Sequence, residues 1–154
     1  MEFFQQQVRE LQLAALHIAD AEKISLQDDE LWHDGVINSE IAEEMAFALL
    51  ARSPHLKDIF LKWSSSNNEY AVYAALMAAA RSRLAADRDV VITISKIATH
   101  YPDSRIIAQG SVALLAAAFN HEDMREAVKQ LIASLAKSTT TDYIVDEMSW
   151  RMEL

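Results

Sequence analysis

The residues whose types and spacing could support chemistry fall mainly between positions 30 and 66. Glu30 and His33 stand three residues apart in the stretch ELWH, the Glu-x-x-His spacing that carboxylate-bridged metal sites use. Such a site needs a second copy of the motif, and none of the other four histidines has a glutamate three residues before it. We therefore interpret this pair as a chance spacing and predict no metal site.

Two further groups of polar residues were considered for chemistry. Glu40, Glu43 and Glu44 could bind a cation, but acidic residues in the first turn of a helix also complement the positive end of the helix dipole, which is the interpretation we favour. The serines at 64–66 have no base beside them in the sequence and are interpreted as a loop. Because the chain also lacks a phosphate-binding glycine loop, a G-x-S-x-G motif and an H-E-x-x-H motif, we predict no cofactor.

Composition and charge limit the class of protein. The chain has 154 residues, enough for one domain, and only two glycines and two prolines, which favours helices joined by short connections. It has no cysteine, which excludes a thiolate nucleophile or thiolate metal site. The formal net charge is −9 and the basic residues are scattered, so we do not expect nucleic-acid binding. We recognise neither a signal peptide nor a membrane-spanning run, and we expect a cytoplasmic protein with no membrane association.

The elements that must position these residues are predicted to be helices. Apolar residues recur at spacings of three and four throughout, and potential caps are Asn38 or Ser39, Asp87 or Asp89, and Asn120. The β-branched run at 90–94 could be a strand, but its helical periodicity and the lack of a second clear strand favour a helix. For the helix at 70–84 we predict an apolar face formed by Tyr70, Tyr73, Met77, Ala80 and Leu84. We also predict that three tryptophans anchor the core: Trp32, Trp63 and Trp150.

An internal repeat suggests how the helices are arranged. EIAEEMAFALLARS at 40–53 aligns with EYAVYAALMAAARS at 69–82, a shift of 29 residues, and IIAQGSVALLAAA at 106–118 follows after about 36 more. Helix pairs repeating at this interval are typical of α-solenoids, and alanines allow neighbouring helices to approach closely. We therefore predict an all-α fold, a short HEAT-like α-solenoid of about eight or nine antiparallel helices in a single domain, 1–154. Its predicted parts are N-terminal capping helices at 1–35, three helix pairs at 38–137, and a C-terminal capping helix at 139–154.

Four stretches between residues 28 and 120 carry a family resemblance through their order and spacing. They are ELWHDG (30–35), LLARSPHLKDIFLKW (49–63), NNEYAVYAALMAAA (67–80) and HYPDSRIIAQGSVALLAAA (100–118). Together they resemble the DNA alkylation repair family, the HEAT-like alkylpurine DNA glycosylases. That resemblance implies a concave basic groove for alkylated DNA, in which a Trp contacts the lesion, an Asp stabilises a cationic sugar and an Arg meets phosphate.

The chain departs from the family pattern at these three positions. The Trp position is Ser39, the Asp position is Glu43, and the Arg position falls at Val72 or Tyr73. Glu43 is therefore the one catalytic residue that the resemblance implies, and the stacking and phosphate roles are unfilled.

The function that we predict is consequently non-enzymatic, a scaffold module whose concave surface binds a protein or peptide. The alternative is a diverged DNA alkylation repair protein that binds or excises alkylated bases. The oligomeric state does not follow from the sequence.

Overall fold

The computed structural model of the chain describes residues 33, 36, 38–48 and 50–152. These residues form seven α-helices and three short 3₁₀ helices, with no strand among them, which confirms the all-α prediction for this part of the chain. The predicted capping helices at 1–35 lie largely outside the described residues, so the predicted total of eight or nine helices cannot be compared with the structure. The α-helices are α1 Ser39–Ala48, α2 Leu56–Trp63, α3 Glu69–Ala80, α4 Arg88–His100, α5 Arg105–Phe119, α6 Arg125–Ser134 and α7 Thr139–Met152.

Alternate helices pack against one another in two layers. In one layer α3 lies between α1 and α5, and α5 also packs against α7. In the other layer α2 contacts α4, and α4 contacts α6. The layers are joined where α2 packs on α3 and where α4 and α6 pack on α5. Each helix from α1 to α5 therefore packs against the next helix but one, and α2–α3, α4–α5 and α5–α6 also pack as neighbours in the chain.

Polar side chains set where several helices begin. The Oδ1 atom of Asn38 accepts a hydrogen bond from the Ile41 amide at 2.8 Å, and Asn68, Asp87 and Ser104 cap α3, α4 and α5 in the same way. Such caps satisfy amide donors that the first turn of a helix leaves without partners. The predicted Asn120 cap is wrong, because a 3₁₀ turn at Glu122–Met124 intervenes and α6 begins after it, without a side-chain cap.

The β-branched segment is helical, as predicted. Val90, Val91, Ile94 and Ile97 are all buried on one face of α4. Because this burial follows the helical period, packing outweighs the strand propensity of the β-branched side chains.

Helix α3 is buried on more sides than its predicted face suggested. Tyr73 is buried as expected, but Tyr70 is 36% exposed, and seven further residues between Ala71 and Ala79 are buried. The small alanine side chains let α1, α2 and α5 approach α3 from different directions. One close approach is at Gly110 of α5, where an added Cβ atom would lie 3.1 Å from Leu76 Cβ.

Hydrogen bonds also join segments near the helix ends that are remote in sequence. The His33 Nε2 and Ser66 Oγ atoms lie 2.5 Å apart, and the Tyr101 hydroxyl donates to the Ser66 carbonyl oxygen. Farther along, the Thr140 hydroxyl donates to the Tyr101 carbonyl oxygen and accepts from the Ser104 amide. The partners in these pairs are 33 to 39 residues apart in the chain. They tie the residue before α1, the α2–α3 and α4–α5 connections and the first turn of α7 to one another.

Two of the three tryptophans can be compared with their predictions. Trp63, at the end of α2, is buried as predicted, whereas Trp150 is 67% exposed and its predicted place in the core is wrong. The buried face of α7 is formed by Thr140, Ile144 and Met148. Trp150 comes two residues after Met148 and therefore lies on a different side of the helix. Trp32 lies outside the described residues. None of the helices in the described ranges has both the length and the apolar character needed to cross a bilayer.

Candidate functional site

Glu43, the residue that the family resemblance singled out, lies on the exposed side of α1. Its Oε1 atom accepts a hydrogen bond from the Tyr73 hydroxyl of α3 at 2.8 Å. Burial of the phenol, and then the hydrogen bond and charge of Glu43, raise the pKa of Tyr73 to about 12. Tyr73 is therefore protonated at neutral pH and acts as a hydrogen-bond donor that joins α3 to α1.

The other two positions of the family pattern do not complete a catalytic site around Glu43. Ser39 is an exposed residue at the start of α1, and Val72 is fully buried. A cation does reach this surface from elsewhere, since the Arg81 guanidinium lies 3.3 Å from the centre of the Phe47 ring. This stacking was not predicted, because Phe47 and Arg81 are 34 residues apart and belong to no recognised motif.

The His33 side chain contacts two residues of the α2–α3 region. Its ring packs edge-on against Trp63 at a centroid distance of 5.3 Å, and its Nε2 atom contacts Ser66 Oγ. Glu30 lies outside the described residues. Among the residues that the structure describes, no group of three or more potential ligands is placed to hold a metal ion.

The contact between Ser66 and His33 joins a hydroxyl to a base that sequence reasoning had not placed nearby. Ser66 Oγ also accepts a hydrogen bond from the Asn68 amide at 2.9 Å, and the Asn68 side chain donates to the carbonyl oxygens of His33 and Val36. These bonds tie the residues before α1 to the α2–α3 connection. Ser64 and Ser65 donate to carbonyl oxygens of α2 instead, so the serine run ends a helix, as its interpretation as a loop predicted.

The most prominent exposed aromatic side chain lies beside a cleft between α5 and α7. Two adjoining hollows of about 380 and 280 Å³ share Ala116 and Arg151, and Trp150 lines the smaller one. The residues around the two hollows are Gln109, Val112, Ala113, Ala116, Phe119, Asn120, Tyr143, Glu147, Met148, Trp150 and Arg151. We call this the α5–α7 cleft.

The α5–α7 cleft combines apolar and charged side chains. Val112 and Ala113 of α5 contribute small apolar surface, and the guanidinium carbon of Arg105 lies 4.6 Å from the centre of the Tyr143 ring. A guanidinium nitrogen of Arg151 and a carboxylate oxygen of Glu147 are 3.9 Å apart along α7. An exposed indole beside apolar side chains and charges of both signs is suited to a protein segment, because such partners bury an aromatic anchor and pair charges at the rim.

A second hollow lies at the turns on one end of the helices. It has a volume of about 600 Å³ and is lined by the α1–α2 and α3–α4 connections, including Pro54, Lys57 and Arg83. Lys57 Nζ lies 2.9 Å from an Asp87 carboxylate oxygen and 3.8 Å from one of Asp89. Because both acids neutralise Lys57, this hollow does not single out an anionic ligand.

No protein-family model, curated protein or solved structure matches the chain.

Proposed function

We propose that the chain is a protein- or peptide-binding scaffold, built as a short HEAT-like α-solenoid. Three observations support the solenoid: the sequence repeat at 40–53 and 69–82, the packing of alternate helices, and hydrogen bonds that recur at 33 to 39 residues between connections. In stacked helix pairs each unit buries its apolar face against its neighbour and leaves extended surfaces for partners. A cytoplasmic location is part of this proposal and rests on the sequence alone.

The observation that carries the binding role is the exposure of Trp150 beside the α5–α7 cleft. An indole that is 67% exposed leaves a large apolar area in water, and aromatic side chains at such positions are common anchors of protein interfaces. Phe119 lines the same hollow, so an inserted side chain would meet its ring as well as the indole.

The test is capture of partners on the immobilised full chain, from untreated and nuclease-treated extract, with and without the Trp150→Ala substitution. Phe47→Ala is the matched control, because Phe47 is an exposed aromatic residue on a different helix. We expect a protein that binds the wild-type chain and Phe47→Ala equally, and binds Trp150→Ala at least tenfold more weakly. Capture that disappears on nuclease treatment would contradict the proposal.

The same proposal predicts that the chain does not excise alkylated bases. Glu43 is exposed and hydrogen-bonded to Tyr73, and a carboxylate in contact with water has a strongly screened field. DNA bearing a cationic alkylated purine should therefore release no base with either the wild-type chain or Glu43→Gln. Base release that depends on Glu43 would support the glycosylase alternative in place of the scaffold.

A further inference from the structure

The net charge of −9 conceals a strong difference between the two helix layers. Helices α2, α4 and α6 carry six basic and three acidic residues, a balance of +3. Helices α1, α3, α5 and α7 carry two basic and seven acidic residues, a balance of −5. Helices α2, α4 and α6 each carry two basic residues and one acidic residue. The layer that they form, which we call the even layer, is therefore cationic on a protein that is acidic as a whole.

The centre of the even layer presents a row of exposed side chains along α4. Arg88, Ile92 and Lys96 follow one another at intervals of four residues, which places them on one side of the helix. All three are exposed, and Ile92 is 50% exposed. The row is thus an isoleucine between two basic residues, and it faces away from the buried Val91 and Ile94.

The neighbouring helices extend this row in both directions. Helix α2 packs against α4 and contributes Leu61, one turn beyond Lys57, whose Nζ atom lies 3.8 Å from an Asp89 carboxylate oxygen. Leu61 is 41% exposed. On the other side, α6 packs against α4 and contributes exposed Lys129. We call these five residues, Leu61, Arg88, Ile92, Lys96 and Lys129, the α4 patch.

We propose that the α4 patch docks an acidic segment of a partner protein, in which carboxylates flank one or two apolar side chains. The apolar residues would contact Ile92 and Leu61, while the carboxylates would pair with Arg88, Lys96 and Lys129. Complementary charges of this kind orient a partner and accelerate its association, and the apolar contacts supply burial.

A protein segment fits the α4 patch better than nucleic acid does. Ile92, exposed between Arg88 and Lys96, can be buried by an apolar side chain of a protein segment, which a phosphate backbone does not offer. The exposed isoleucine and leucine offer no hydrogen bond to phosphate. The α4 patch belongs to the opposite layer from the α5–α7 cleft, so this inference goes beyond the proposed function and is tested separately from it.

The experiment measures fluorescence anisotropy of three labelled probes with the full chain. The first is a peptide in which Leu and Ile are flanked by Asp and Glu, the second has Lys and Arg in place of those acids, and the third is a DNA duplex. We expect binding of the acidic peptide alone, weakened severalfold when the salt concentration is raised above the physiological value. No binding of the acidic peptide, or equal binding of the basic one, would overturn the proposal.

Substitutions then locate the binding site. Arg88→Glu combined with Lys96→Glu should weaken binding of the acidic peptide by about tenfold or more, as should Ile92→Asp. Lys137→Glu, at an exposed position in the α6–α7 connection outside both the α4 patch and the α5–α7 cleft, is the control and should leave it unchanged. If the charge reversals unfold the chain, Arg88→Gln with Lys96→Gln removes the same charges without adding acids. An equal effect of Lys137→Glu, or DNA binding that requires Arg88 and Lys96, would overturn the proposal.

Discussion

Replacing Gly110 by alanine tests the close approach of α3 and α5 on which the two-layer packing depends. Alanine is favoured over glycine within a helix by about 1 kcal/mol, so an open site would be stabilised. Here the new Cβ atom would lie 3.1 Å from Leu76 Cβ, Leu76 Cδ1 and Tyr73 Cδ1. Carbon atoms prefer separations of about 3.5–4.0 Å, and Leu76 Cβ cannot yield unless the α3 backbone moves.

The overpacking should outweigh the gain in helix propensity. Inserting a methyl group into a packed core typically costs about 1–3 kcal/mol, so Gly110→Ala should lower the free energy of unfolding by about 1 kcal/mol after the propensity gain of about 1 kcal/mol is included. The assay is urea unfolding followed by circular dichroism. Ala113→Gly, one turn along the same helix, measures the propensity term alone and should cost about 1 kcal/mol. An increase in stability of about 1 kcal/mol for Gly110→Ala would refute the close packing.

Three further predictions concern the core, a helix cap and a buried phenol. Trp63→Ala should lower the free energy of unfolding by about 3–5 kcal/mol in urea titrations, because Trp63 is buried; an unchanged melting temperature would contradict its place in the core. Asp87→Ala should cost about 1 kcal/mol by removing the α4 cap, whereas exposed Asp103→Ala should cost much less, as thermal melts would show. The pKa of Tyr73 is raised from 10.0 to about 12, so the contribution of its protonated phenol to the free energy of unfolding is complete below pH 10 and is lost as the pH rises through 12. Tyr73→Phe should reduce this loss of stability at alkaline pH in unfolding titrations. An unchanged loss would contradict the raised pKa.

The fold class and most helix positions could be predicted because they depend on local patterns. The buried face of α2, formed by Leu56, Ile59, Phe60 and Trp63, follows directly from the spacing of apolar residues. The cap at Asp87 also follows from residue type and position. Local signals of this kind need no knowledge of neighbouring helices.

The errors arose where tertiary packing decides the outcome. Trp150 was predicted to be buried because it was assigned to a face with other large apolar residues, but α7 buries a different face, which packs against α5. The predicted face of α3 was incomplete because alanines are buried from several directions, and a periodic stripe cannot represent a helix that has neighbours on most sides.

The side-chain hydrogen bonds of the candidate site could not be predicted, because they join residues that are remote in sequence. His33 and Ser66 are 33 residues apart, and Glu43 and Tyr73 are 30 apart. The signal that could have suggested these pairs is the repeat interval itself, because stacked units bring residues one repeat apart into contact.

Amide hydrogen exchange of the full chain, alone and with a protein that it captures, decides whether the α5–α7 cleft is the binding surface. The scaffold proposal predicts slower exchange on binding in Arg105–Phe119 and Thr139–Met152, the helices that form the cleft. The Trp150→Ala chain should show no such protection at the same partner concentration. Protection confined to Ser39–Ala48 and Glu69–Ala80, the helices that carry Glu43 and Tyr73, would contradict the proposal.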